Sequence, residues 1–176
     1  MWPARQPVLE SDRLLLRPYI LDDAADVQRL AGDIRVAKET MNIPHPYKDG
    51  MAELWISSLA QKWRRKVRVE YAVLRKSDAV YTGGMSFVSV DGTEAEIGYW
   101  VGAPFWGNGY CTEAGKRLIE FGETELGLQK LTARHLSSNP ASGKVLRNLG
   151  LTWRGQIRAP DRNDNSVALE VYEKTL

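Results

Sequence analysis

Apolar and polar positions along the chain alternate between two periods, and the changes of period mark its elements. Leu14-Leu15-Leu16-Arg17 is a short apolar run closed by Pro18, which predicts a first strand. After Asp22-Asp23, residues Ala25, Val27, Leu30 and Ala31 recur at helical spacing, and acidic residues there oppose the positive end of a helix dipole. Ile43-Pro44-His45-Pro46-Tyr47 is excluded from a helix, because each proline pushes the residue before it towards extended backbone. A second helix is predicted over residues 50–64, carrying Leu54, Trp55, Ser58, Leu59 and Lys62. The middle of the chain reads as strands at 70–75, 84–90 and 93–101, with Lys76-Ser77-Asp78 and Asp91-Gly92 as turns.

Residues 112–126 form an amphipathic helical pattern, with Ala114, Leu118, Phe121, Gly122 and Leu126 on one stripe. Residues 131–136 alternate like a strand. Asn139-Pro140 then opens a short helix that stops at Gly150, since Asn suits an N-cap, Pro the first helical position and Gly the position past the end. Strands at 152–158 and 166–173 close the chain. A strand-helix-strand unit around residues 112–126 requires parallel pairing of its flanking strands, and the hairpins elsewhere require antiparallel pairing. The expected fold is α/β (α+β): a mixed, mostly antiparallel central sheet with a parallel βαβ core and helices on both faces. Residues 1–176 read as one domain.

Composition narrows the function. The 24 basic and 22 acidic residues give a net charge of +2, too small to make nucleic acid the main partner. One cysteine, Cys111, cannot form an internal disulfide, and with only His45 and His135 beside it no metal site is expected. No apolar run is long enough to span a bilayer and no secretory signal is visible, so the expectation is a reduced, cytoplasmic protein. The densest positive patch runs from Lys62 to Arg68; it reads as a solvated helix end or as a contact for an acidic or ribosomal surface.

The segment richest in chemistry is Phe105-Trp106-Gly107-Asn108-Gly109-Tyr110-Cys111-Thr112, between a strand and a helix. Paired glycines permit a tight turn and a close ligand approach, and free N–H groups at the helix start form a nest for phosphate. A plain strand-to-helix turn is the alternative. It is not a Walker loop, because no Gly-Lys-Ser/Thr follows, and Thr112 stands where a dinucleotide fingerprint has its third glycine.

The block from Glu96 to Ala114 resembles the acetyl-CoA motif of the GNAT N-acetyltransferase superfamily, in its RimJ/RimL-type branch. The opening Leu9-Glu10-Ser11-Asp12-Arg13-Leu14-Leu15-Leu16-Arg17 is similar to that branch's first strand. Ile43-Pro44-His45-Pro46-Tyr47 resembles its substrate-side loop, and Asn139-Pro140-Ala141-Ser142 with Leu149-Gly150-Leu151 its next motif. The resemblance spans nearly the whole chain. It departs at Pro104, where Gln or Arg is frequent, and at Leu146, where the superfamily often has a tyrosine general acid.

The resemblance implies direct transfer of acetyl from acetyl-CoA, with no metal, to an amine: a peptide N-terminus or a small molecule. It places the pyrophosphate on the amides of Gly107, Asn108, Gly109, Tyr110, Cys111 and Thr112. The pantetheine arm falls on the open edge of Tyr99-Trp100-Val101, with Asn139 beside it. Asn139 also reads as a simple N-cap. Ser142 is the implied proton donor to the thiolate, or else a helix serine that satisfies backbone groups. Glu96, on one strand face with Glu94, is the candidate base, with a water chain as the alternative. Lys144 and Arg147 reach the CoA 3′-phosphate or stay solvated. Specificity is expected in the loop 42–47, the second helix and the loop 159–165, where Asp161 and Asp164 are reserve acidic groups. A CoA-binding sensor without strong catalysis and a nucleotide-binding protein are the competing readings, and a homodimer stays open.

Overall fold

A computed structural model describes residues 2–176. Its strands are β1 (Leu9–Glu10), β2 (Leu14–Arg17), β3 (Val69–Arg75), β4 (Val80–Asp91), β5 (Glu94–Val101), β6 (Lys130–Leu136), β7 (Thr152–Pro160) and β8 (Ser166–Thr175). Its α-helices are α1 (Ala24–Ala31), α2 (Ile34–Ala37), α3 (Met51–Arg64), α4 (Tyr110–Phe121) and α5 (Pro140–Asn148). The sheet runs β1-β2-β3-β4-β5-β6-β8-β7. Every neighbouring pair is antiparallel except β5 with β6, which are joined through α4. The expected mixed, mostly antiparallel sheet is therefore what forms.

Strand alternation divides the core between the two faces. On β3, Tyr71 and Val73 join α4 and α5 in a cluster built on Leu118, Phe121 and Leu146. Ala72 and Leu74 join Val27, Leu30, Ala52 and Ile56 of α1 and α3 on the other side. Leu118 is fully buried, and burying such a side chain stabilises by about 1.5–3 kcal/mol. Asp23 does more than oppose a helix dipole. It takes two hydrogen bonds from Arg17, at 2.8 and 2.6 Å, and one from the Ile20 amide, so β2 fixes the start of α1.

Two boundaries differ from the sequence expectation by four residues or more, and two short elements are new. β4 begins at Val80, four residues earlier than expected, and runs through Gly83 and Gly84. These glycines mark close packing within a strand: a Cβ at Gly83 would lie 2.2 Å from the Trp100 carbonyl oxygen, and one at Gly84 would lie 2.6 Å from the Tyr19 hydroxyl. The α4 pattern ends at Phe121, and residues Gly122–Leu126 continue as a π-helical turn that ends at Gly127. The short α2 and the two-residue β1 are too brief to show a periodicity. The hairpin at Asp91-Gly92 forms as expected, with Asp91 opposite Glu94 and Gly92 at φ +57°.

α5 is seated so closely that its one internal glycine has no spare room. A Cβ on Gly143 would lie 2.8 Å from His135 Nε2 and 3.1 Å from the Tyr172 hydroxyl, and those two rings pack with centroids 5.5 Å apart. Alanine normally gains about 1 kcal/mol over glycine inside a helix. Overpacking a filled interior costs about 1–3 kcal/mol. We expect the clash to win: Gly143→Ala lowers the melting temperature. A rise in thermal denaturation would show that α5 sits loosely on β6 and β8.

Candidate active site

The site begins at the turn before α4. Gly107 and Gly109 have φ of +78° and +76°, a region that side chains beyond glycine enter only with strain, and Gly109 is the N-cap. The first helical hydrogen bond is that of the Glu113 amide to the Gly109 carbonyl, so the amides of Tyr110, Cys111 and Thr112 have no acceptor within the helix. Asn108 folds the turn by donating from Nδ2 to the carbonyls of Phe105 and Trp106, at 2.8 and 3.2 Å. A Cβ on Gly107 would meet nothing within 4 Å, so the space before the turn is open. Open amides and the positive end of a helix dipole suit an anion of phosphate type.

The turn is clamped from behind by residues that sequence spacing does not reveal. Glu113 accepts from Ser11 Oγ at 2.7 Å, the Arg13 amide at 2.8 Å and Arg13 Nε at 2.7 Å. Arg13 in turn donates from Nη2 to the Asn108 carbonyl at 3.0 Å and lies over the Tyr110 ring. Burial works to raise the Glu113 carboxyl, but the donors from Arg13 and Ser11 outweigh it and hold the group below its ordinary value. Cys111 lies within the same turn. Burial pushes its thiol up to about 12, so it stays protonated at neutral pH and is no nucleophile.

The second component is an opening in the sheet. β5 pairs with β6 only at Glu94–Lys130, Ala95–Leu131 and Glu96–Thr132. Beyond Glu96, β5 stays paired with β4 through Val101, and β6 stays paired with β8 through Leu136. The Gly102 amide donates to Thr82 on the β4 side, while the Val101 carbonyl accepts from Trp106 Nε1 at 2.7 Å. Alternation therefore turns the Tyr99 and Val101 peptide groups to the open edge.

Tyr99 and Asn139 bridge the opening. The Tyr99 hydroxyl donates to the Ser142 carbonyl at 2.9 Å and shares a 2.9 Å hydrogen bond with Ser142 Oγ. Burial raises the Tyr99 phenol above its ordinary value, so it stays neutral. Asn139 accepts from the Ser142 amide at 3.1 Å, as an N-cap should, and donates from Nδ2 to the Glu39 carbonyl at 3.2 Å. Leu146 is buried in the core, so the phenol nearest Ser142 comes from β5 and not from α5.

Two cavities meet at this bridge. The first, about 680 Å³, brings together Tyr99, Trp100, Val101, Gly107, Gly109, Tyr110, Cys111, Thr112, Asn139 and Ser142. Asn108 shapes the turn but does not line that cavity. Lys144 lines it, whereas Arg147 donates to the Tyr172 hydroxyl at 3.2 Å. The second cavity, about 570 Å³, is walled by Tyr47, Trp55, Arg68, Glu70, Glu96 and Arg134 among others. Glu39, Thr40, Tyr99, Trp100 and Ser142 belong to both.

Glu96 is in the second cavity, where both its oxygens accept from Arg134 at 2.9 Å. Sequence reasoning missed a second carboxylate there. Glu70, 7% exposed, accepts from Arg68 Nε at 2.5 Å, and burial pushes its carboxyl up against the opposing pull of Arg68. Of the reserve acidic groups, Asp161 is occupied by the amides of Asn163 and Asn165, and neither Asp161 nor Asp164 lines a cavity described above. Among the described residues no cluster of three or more His, Cys, Asp or Glu side chains is placed to hold a metal ion, and no helix is long and apolar enough to cross a membrane.

Known proteins share this fold. Residues 13–152 match the family model of the acetyltransferase (GNAT) domain. The chain is 31% identical over 169 residues to the uncharacterized N-acetyltransferase p20 of Bacillus licheniformis, across 93% of this chain and 92% of that protein. The microcin C7 self-immunity acetyltransferase MccE, solved with acetyl-CoA and AMP, superposes with a TM-score of 0.85 at 23% identity, covering 94% of both chains. RimL, the ribosomal L7/L12 α-N-protein acetyltransferase solved with coenzyme A, superposes at 0.84 with 16% identity, covering 97% of this chain and 98% of that one. With its glycine turn, its split sheet and a family match over most of its length, the chain belongs to the GNAT acetyltransferase family and is an acetyl-CoA-dependent N-acetyltransferase.

Proposed function

We propose that the protein passes the acetyl group directly from acetyl-CoA to an amine, peptide N-terminus or small molecule, while both are bound. The carrying observation is that the two cavities share Glu39, Thr40, Tyr99, Trp100 and Ser142. A ligand in each has its end at the same five residues, which is the proximity that removes much of the entropic barrier. A module that only sensed CoA has use for the first cavity alone.

In this reading the amides from Gly107 to Thr112 hold the pyrophosphate. Tyr99 and Val101 offer backbone donors and acceptors to the arm and the thioester oxygen from the open edge of β5. The amine must first lose a proton. Glu96 takes it only by giving up one hydrogen bond from Arg134, so water in the second cavity is the more direct route. The nitrogen–carbon bond then forms, the nitrogen gives its second proton to water, the carbon–sulfur bond breaks, and Ser142 Oγ gives its proton to the thiolate and regains one from water. Tyr99 keeps Ser142 Oγ facing the junction. RimL's description as a protein N-terminal acetyltransferase supports a peptide acceptor for this chain, with a small amine as the second class.

Two substitutions test the two halves. Gly109→Glu puts bulk, strain and negative charge where pyrophosphate would sit. Acetyl-CoA affinity, measured by calorimetry on the folded variant, should fall at least a hundredfold; unchanged affinity places the cofactor elsewhere. Ser142→Ala should lower kcat more than tenfold, since a positioned proton donor contributes about 10²–10⁴-fold, while acetyl-CoA affinity stays within a few-fold. Thiol release with a good acceptor gives both numbers, and an unchanged kcat would reduce Ser142 to a helix residue.

A further inference from the structure

The charges of the second cavity are matched in a way that selects its occupant, an inference that rests on the function just proposed. The cavity is lined by Glu39, Arg68, Glu70, Glu96 and Arg134. Four of these are already paired: Arg68 with Glu70 at 2.5 Å and Arg134 with Glu96 at 2.9 Å. Among the described residues, the Glu39 carboxylate has neither an ion pair nor a side-chain hydrogen bond. It is also the only one of the five that lines both cavities.

The backbone holds Glu39 in that place from both sides. Its carbonyl accepts from Asn139 Nδ2 of the α5 cap, and its amide donates to Val36 at 3.1 Å. The neighbouring Thr40 carbonyl accepts from Arg162 Nη1 at 3.2 Å, and the Ala37 carbonyl accepts from the same nitrogen at 2.7 Å. The segment Ala37–Thr40 is thus tied across the mouth of the cleft to both α5 and the β7–β8 loop. The remaining walls are largely apolar: Met41, Ile43, Tyr47, Met51, Leu54 and Trp55. Trp55 is braced edge-on against Tyr19, with centroids 4.8 Å apart.

We propose that the acceptor is an amine with a single positive charge at its reacting end and an apolar or aromatic group beside it, and that Glu39 holds that ammonium at the junction. One spare carboxylate matches one ammonium. A polyamine or aminoglycoside would bring further ammonium groups into a cavity whose other carboxylates are already paired with Arg68 and Arg134. Such a substrate gains one partner, and each further ammonium group loses water without finding a free carboxylate. The apolar walls fit the flank of a hydrophobic first residue or an arylalkyl group.

Thiol release from acetyl-CoA tests this with four acceptors: phenethylamine, a tripeptide with an N-terminal leucine, spermidine and kanamycin. The monoamines should exceed the polycations in kcat/KM by at least tenfold. Glu39→Gln should raise the amine KM at least tenfold while acetyl-CoA affinity stays within twofold, and Glu39→Asp should recover part of the loss. A preference for spermidine or kanamycin overturns the inference and leaves the acetyl-transfer reading standing. An unchanged amine KM in a folded Glu39→Gln variant overturns it too. Acetyl-CoA binding without turnover of any acceptor refutes the transfer reading, and the inference with it.

Discussion

The site depends on strand pairing that stops early. β5 and β6 share three register positions and then separate, each keeping its other neighbour. The cost is limited to the few backbone groups left facing the gap, because β4 and β8 continue to satisfy the outer edges. In return the fold gains an edge of extended backbone in its interior, at Tyr99 and Val101, where an amide-bearing chain can pair as a strand would. Loops on the surface could not present such groups without exposing them fully to water. The opening also gives access to both faces of the sheet, so one cavity lies beside α4 and the other beneath α1 and α3.

Holding a sheet open requires struts, and side chains provide them. Tyr99 reaches from β5 to Ser142 at the start of α5, and Asn139 reaches from the α5 cap to the Glu39 carbonyl. Arg162 ties the same segment to the β7–β8 loop. Each strut sits at or next to a residue that lines both cavities: Tyr99, Ser142, Glu39 or Thr40. The width of the cleft and the placement of the residues shared by the two cavities are therefore set by the same hydrogen bonds. The electrostatics are divided likewise: helix-terminal amides and Lys144 make the first cavity suited to anions, and paired arginines and glutamates keep the second nearly balanced.

What was legible in the sequence was local. The glycine turn, the Asn139-Pro140 cap and the Asp91-Gly92 hairpin are each specified within a few residues, and each forms. The strand-helix-strand unit implied the parallel pair. Glu113 was visible as part of a motif, but its clamp on Ser11 and Arg13 joins positions about a hundred residues apart. Nothing local distinguishes Glu70 and Glu39 from solvated acids, because burial and partnerlessness are tertiary facts. The start of β4 at Val80 was missed, since a glycine such as Gly83, which makes room for a neighbouring backbone, looks in sequence like one that ends a strand. Glu96 was placed on the correct strand and near the cleft, yet nothing local announces that Arg134 on β6 will occupy it.

Cofactor binding at the open edge of β5 is the central claim, and amide hydrogen exchange read by NMR reaches it directly. The Tyr99 and Val101 amides face the gap, whereas the Trp100 amide between them faces β4 and serves as an internal reference. Saturating acetyl-CoA should slow exchange at Tyr99 and Val101 at least tenfold and leave Trp100 nearly unchanged. Slowing at the amides of residues 107–112 with none at Tyr99 or Val101 would mean that the arm does not pair with the split sheet, and would contradict the account.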